Sequence, residues 1–177
     1  MKAPSRILAI AKAEARVLWR NRWLAVATGI MVVFAVALSL AGSAPTGALG
    51  VDMLTVSIAS MTTLGVYLIP LLALLISFDA VVGEADRGSL GLLLTYPAGR
   101  AEILAGKALA HVAALAIACI IGFGVAGALA AGFGNVSTDS LLALVRLMGT
   151  SVMLGAVFLA FGYLISSLAG SMATAAG

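Results

Sequence analysis

The ionisable side chains of this chain gather in two places. Asp79, Glu84, Asp86, Arg87, Arg100, Glu102, Lys107 and His111 crowd the stretch 79–111, and Lys2, Arg6, Lys12, Glu14, Arg16, Arg20 and Arg22 precede residue 24. The chemistry open to them is limited. No GxxxxGK[ST] loop is present to cradle a nucleotide phosphate, so direct ATP binding of the usual kind is not expected. No serine–histidine–acid pattern and no zinc-ligand spacing occurs. His111 is the single histidine, and Cys119, the single cysteine, lies about 12 Å further along the same helix, too far to share a metal ion with it. Seven methionines could offer soft ligands, with Met53 and Met61, or Met148 and Met153, as the candidate pairs for Cu(I). Their more ordinary use is as adaptable packing in a helix bundle, so no metal and no directly bound cofactor is assigned. What remains is docking: acids and bases placed where another protein can meet them.

The elements that must position these charges are apolar. Of 177 residues, 63% are hydrophobic and 10% charged, against about a quarter charged in a soluble domain. Lipid is the solvent that suits such a chain. An all-α polytopic membrane bundle is expected, with spans over 24–41, 53–82, 108–131 and 141–168 as one transmembrane domain covering 1–177. The first apolar run is too long for the hydrophobic part of a cleaved signal peptide, and an amphipathic preface is wrong for one. Pro70 removes one rung from the hydrogen-bond ladder of the second span. Gly124, Ala128 and Gly132, spaced by four, and Gly149, Ser151 and Gly155 form small-residue faces that would let helices approach closely.

Residues 5–22 read as a helix lying in the headgroup layer. Lys12, Arg16 and Arg20 recur every four residues and form one basic stripe, opposite Ile7, Ile10, Val17 and Leu18. Trp19 and Trp23 suit an interface. Glu14 stands on the apolar side with no basic residue three or four positions away, so its partner must come from elsewhere in the fold or from another subunit. Basic residues also set the expected orientation. They precede the first span and lie between the second and third, while the segments 42–52 and 132–140 contain no lysine or arginine. The positive-inside bias then places the N-terminus and the stretch 83–107 in the cytoplasm. Without interleaved basic and aromatic residues, nucleic acid is not an expected partner.

Thr55, Ser57, Ser60, Thr62 and Thr63 put a dense set of hydroxyls in the first half of the second span. They could line a pathway. They could equally serve helix packing, each bonded to its own backbone. In the stretch 83–107, Gly88 and Pro97-Ala98-Gly99 break the backbone on either side of a Leu-rich segment, 89–96, with charges at both ends. Such a segment could lie at the membrane surface and pair its charges with a docked soluble protein, or form a solvated turn.

One pattern in this stretch is specific. Glu84, Arg87-Gly88-Ser89-Leu90, Leu93-Leu94-Thr95-Tyr96-Pro97, Arg100 and Gly106-Lys107 resemble the cytoplasmic signature of type-2 ABC transporter permeases. The preface AKAEARVLWRNRWL is similar to that family's amphipathic elbow helix, with Glu14 at its acidic position. The resemblance is nearest to the branch serving maturation of nitrous-oxide reductase. It implies a multi-pass permease of the bacterial inner membrane, working as a homodimer with a separate ABC ATPase subunit, through which ATP acts. It further implies a periplasmic accessory protein of copper-site maturation and a copper or sulfur species as cargo. Glu14, Glu84, Asp86, Arg87, Gly88, Arg100, Glu102 and Lys107 are then the expected ATPase-coupling residues. The family has six spans per subunit, so this chain is expected to stop short of the last two. A scaffold that passes ATPase motion to a periplasmic protein, and a drug or polysaccharide exporter, remain as alternatives.

Overall fold

The computed structural model describes residues 3–20, 22–42, 53–78, 80–83, 99–132 and 136–169. Five helices account for nearly all of them: α1 (Ala3–Trp19), α2 (Arg22–Gly42), α3 (Met53–Ser77), α4 (Arg100–Gly132) and α5 (Thr138–Leu168). No strand occurs among the described residues. Helices α2 to α5 each contain an apolar stretch long enough to cross a membrane, and the chain has the all-α polytopic architecture expected of it. Large side chains left exposed along them, such as Val33, Phe34, Tyr67, Leu71, Val157 and Phe161, suit lipid rather than water.

The helix ends follow from local chemistry. Helix α1 stops at Trp19, where the Arg20 N–H turns back to the Val17 carbonyl at 3.1 Å. The helix expected over 5–22 therefore begins two residues earlier and ends three residues earlier, and Arg22 belongs to α2. Helix α3 runs through Pro70 and ends at Ser77, five residues before the expected limit of 82. At 25 residues it already exceeds the length a bilayer requires. Helix α4 begins at Arg100, eight residues earlier than its apolar run. Gly99 is its N-cap: the Gly99 carbonyl accepts from the Glu102 and Ile103 N–H groups, and the Glu102 carboxylate accepts the Gly99 N–H at 3.0 Å. This is the returning half of a capping box. The charged lead-in and the third span consequently belong to one helix of 33 residues. Helix α5 begins at Thr138, because the Ser137 hydroxyl accepts the Ser140 N–H at 3.1 Å as an N-cap.

The chain divides into two compact units. The first comprises Met1–Asn21, Pro70–Ala114 and Gly155–Gly177, the second Arg22–Ile69 and Leu115–Leu154. In the second unit, Met31 packs on Gly122 and Leu144 on Gly127, close enough that an added methyl would collide. Gly65 faces the Phe123 ring and the Ser151 hydroxyl. The close approaches fall at Gly122 and Gly127, whereas Ala128 is exposed and nothing lies near Gly132 or Gly149. A spacing of four drifts around a helix, so the stripe through Gly124 turns away from its neighbour within two steps. Buried between α2, α3 and α4, the Ser39 and Ser57 hydroxyls lie 3.1 Å apart, and Ser39 also donates to the Ala126 carbonyl at 3.4 Å.

Candidate functional site

The first unit brings polar groups from α1, α4 and α5 together. Helix α1 turns Ala11 and Leu18 inward and leaves Lys12, Arg16 and Arg20 exposed. Glu14 lies on the same inward side. It meets Lys107 on α4, with Oε1 2.8 Å from Nζ. The Lys107 side chain is only 6% exposed and that of Glu14 18%, so this is a desolvated ion pair. A turn further along α4, His111 is buried, its Nε2 3.9 Å from the same Glu14 oxygen. That separation is too long for a hydrogen bond but near enough for a charge to be felt. On its other side, His111 Nδ1 is hydrogen-bonded to the Tyr163 hydroxyl of α5, with the rings edge to face at 5.6 Å. A second bridge joins α1 to the first turn of α4: Arg6 Nη2 lies 3.2 Å from Glu102 Oε1.

Close backbone approach makes these contacts possible. A methyl on Gly106 would lie 2.7–2.8 Å from Ile10 carbons and 3.0 Å from the Ile7 carbonyl oxygen. Gly106 therefore lets α1 rest on α4 between the two ion pairs.

Of the residues singled out in the sequence, Glu14, Glu102 and Lys107 are drawn into contacts between α1 and α4. Arg100 is exposed at the first position of α4. Glu84, Asp86, Arg87 and Gly88, with the Leu-rich segment 89–96, lie outside the described residues. In α3, Ser60, Thr62 and Thr63 donate to carbonyls four residues back, at 3.4, 2.8 and 3.4 Å. Ser57 is engaged with Ser39, and Thr55 is exposed.

Sequence reasoning missed Tyr163, Ser166 and Arg6 as partners. Ser166 is buried on α5, and its hydroxyl accepts the N–H groups of both Val81 and Val82 at 3.1 Å. It thereby satisfies two backbone donors in the turn that follows α3. Tyr163 and Ser166 carry no signal in the sequence, since each lies in a largely apolar run, and Arg6 reads as one more basic residue of the N-terminal helix.

Helix α1 thus rests on the charged start of a long apolar helix, with its one acid paired there. Residues 8–177 match the family described as ABC-2 family transporter protein. The chain belongs to that family. It is 44% identical over 160 residues to "Probable ABC transporter permease protein NosY" of Pseudomonas aeruginosa, and equally so to the protein of that name from Stutzerimonas stutzeri. Each alignment covers 89% of this chain and 58% of the relative, so the chain spans little more than half the length of these curated relatives.

Proposed function

We propose that this ABC-2 family chain is the membrane permease part of a transporter whose segment 83–107 docks a separate ABC ATPase. The observation that carries the reading is the buried Glu14–Lys107 pair, which fastens α1 to the exit of that segment. A push on the segment is then delivered to α1 and α4 together. Glu84, Asp86, Arg87, Gly88 and Arg100 are the docking residues. Glu14, Glu102 and Lys107 hold the docked segment's exit to the elbow helix. ATP enters only through the partner. Two permease copies work together, and the exposed apolar side chains of α2, such as Ile30, Val33 and Phe34, suit either lipid or that second copy.

The positive-inside bias supports an N-terminus and an 83–107 segment on the cytoplasmic side of a bacterial inner membrane. Replacing Cys119 with alanine leaves a background for single added cysteines. An impermeant thiol reagent applied to intact cells should then label Val136→Cys and spare Ser89→Cys. Labelling at Ser89→Cys from outside would reverse the orientation.

The cargo we propose is a copper or sulfur species for maturation of periplasmic nitrous-oxide reductase, delivered to a periplasmic accessory protein. Support comes from the resemblance and from relatives carrying the NosY name. A second reading is favoured by the hydroxyls of α3. Ser60, Thr62 and Thr63 spend their protons on their own helix, which suits a scaffold that transmits motion without a polar pathway. Liposomes holding the full-length permease and its ATPase separate the two. Transport predicts ATP-dependent movement of labelled copper or sulfide across the bilayer. ATP hydrolysis stimulated by the periplasmic partner, with no flux of either label, would leave the scaffold standing.

A further inference from the structure

The last turns of α5 hold elements on both sides of the coupling segment. Gly162, Tyr163 and Ser166 are all buried, and their spacing puts them on one side of the helix. Ser166 takes the N–H groups of Val81 and Val82, just beyond the end of α3. Gly162 admits the Ser77 side chain, which lies where a Cβ would otherwise stand. Tyr163 reaches across to His111 of α4, one turn beyond Lys107, and His111 Nε2 in turn stands 3.9 Å from the Glu14 carboxylate of α1. The end of α3, the start of α4 and the elbow helix therefore all attach, directly or through one side chain, to this one face.

These attachments are unlike ordinary apolar packing. A buried N–H that loses its acceptor keeps the full desolvation penalty. The Ser166 oxygen serves two such donors, and the Tyr163 hydroxyl and the imidazole satisfy each other. If the end of α3 or the start of α4 shifts, α5 must follow or these bonds must break.

We propose that Gly162, Tyr163 and Ser166 form the receiver of the coupling movement, positioning residues through which displacement of the α3 end and the α4 start is handed to α5. The inference rests on the coupling reading above and adds where the motion goes.

The test uses the full-length permease with its ATPase in lipid nanodiscs, in a Cys119→Ala background. A cysteine at Leu168, exposed two residues beyond Ser166, reports on the end of α5. Trapping the ATPase with ATP and vanadate should change its labelling rate severalfold. In a Tyr163→Phe, Ser166→Ala variant, which loses two oxygen atoms and no volume of consequence, the ATPase should still co-purify and hydrolyse ATP, and the labelling change should vanish. Each single variant should lose part of it, and Ser167→Ala, on the exposed side, none. A nucleotide response that survives in the double variant overturns the receiver. So does loss of ATPase binding in the single variants, which would make the face a docking support. If the ATPase does not co-purify even with the unsubstituted permease, the coupling reading itself fails and the receiver falls with it.

Discussion

Replacing Glu14 with alanine is expected to destabilise the seat of α1 on α4 by about 2–4 kcal/mol, the cost of removing one member of a largely desolvated ion pair. The Lys107 ammonium has almost no contact with solvent. Without Glu14 it would lose a 2.8 Å charged partner in a setting closed to solvent. Lys107→Met should cost less, because the Glu14 carboxylate left behind is 18% exposed and water can reach it. The double variant Glu14→Leu, Lys107→Met should recover most of the loss, since a desolvated pair replaced by apolar groups of similar size is often neutral. By contrast Arg6→Ala should cost only about 0–1 kcal/mol, because the Arg6 side chain is 35% exposed and its pair with Glu102 is screened. The measurement is the thermal midpoint of the full-length permease in detergent. Thiol reactivity of Ala11→Cys, a buried position on α1, reports locally on the seat. Losses from Glu14→Leu and Lys107→Met that simply add in the double variant would show that the two are not coupled.

The second large effect falls at Gly162. A Cβ there would overlap the Ser77 hydroxyl and lie 2.8 Å from the Ser77 Cβ. Rotating Ser77 away would relieve only the oxygen, and would break its 2.7 Å bond to the Ala73 carbonyl. The helices must separate, and overpacking of this kind costs about 1–3 kcal/mol. Gly162→Ala should therefore lie at the upper end of that range. A graded rescue is expected. Ser77→Ala in the same chain removes the oxygen and leaves the Cβ conflict, so it should restore part of the loss. Ser77→Gly removes both and should restore more, because Ser77 is the last residue of α3, where glycine carries little of its helix-interior cost. Thermal midpoints of the three variants give the order. Equal midpoints for Gly162→Ala with and without Ser77→Gly would place the strain elsewhere.

Much of the fold was legible because a bilayer constrains sequence severely. The runs at 24–41 and 108–131 could be little else than spans, and helices cover both. Element ends were less legible. Gly99 reads as a breaker after Pro97, yet it caps α4, and Glu102 reaches back to complete the cap. Ser137 reads as loop, yet it caps α5. In each case a polar side chain or backbone group near the start satisfies an open helix donor, and apolar pattern alone does not register it.

The site was legible in one respect. Glu14 stood out as an acid on an apolar face with no local partner, and its partner does come from elsewhere in the fold. Which partner could not be read, since Lys107 is 93 residues away. Tyr163 and His111, 52 apart, raise the same difficulty. A polar residue in an apolar run announces that it needs a partner and not where that partner lies.

If the charges of the 83–107 segment dock an ATPase, their reversal should release it. The measurement is co-purification of the ATPase with the full-length permease from membranes, carrying Glu84→Lys with Arg87→Glu, or Arg100→Glu alone. The unsubstituted permease should bring its ATPase down in full. The double reversal should lose most of it. Arg100→Glu should lose a substantial part, because Arg100 is exposed at the head of α4 with no ion pair among the described residues. Reversal of one exposed docking charge weakens assembly without unseating α1. Full recovery of the ATPase with both variants, at unchanged ATP hydrolysis, would contradict the account and leave this segment a solvated turn.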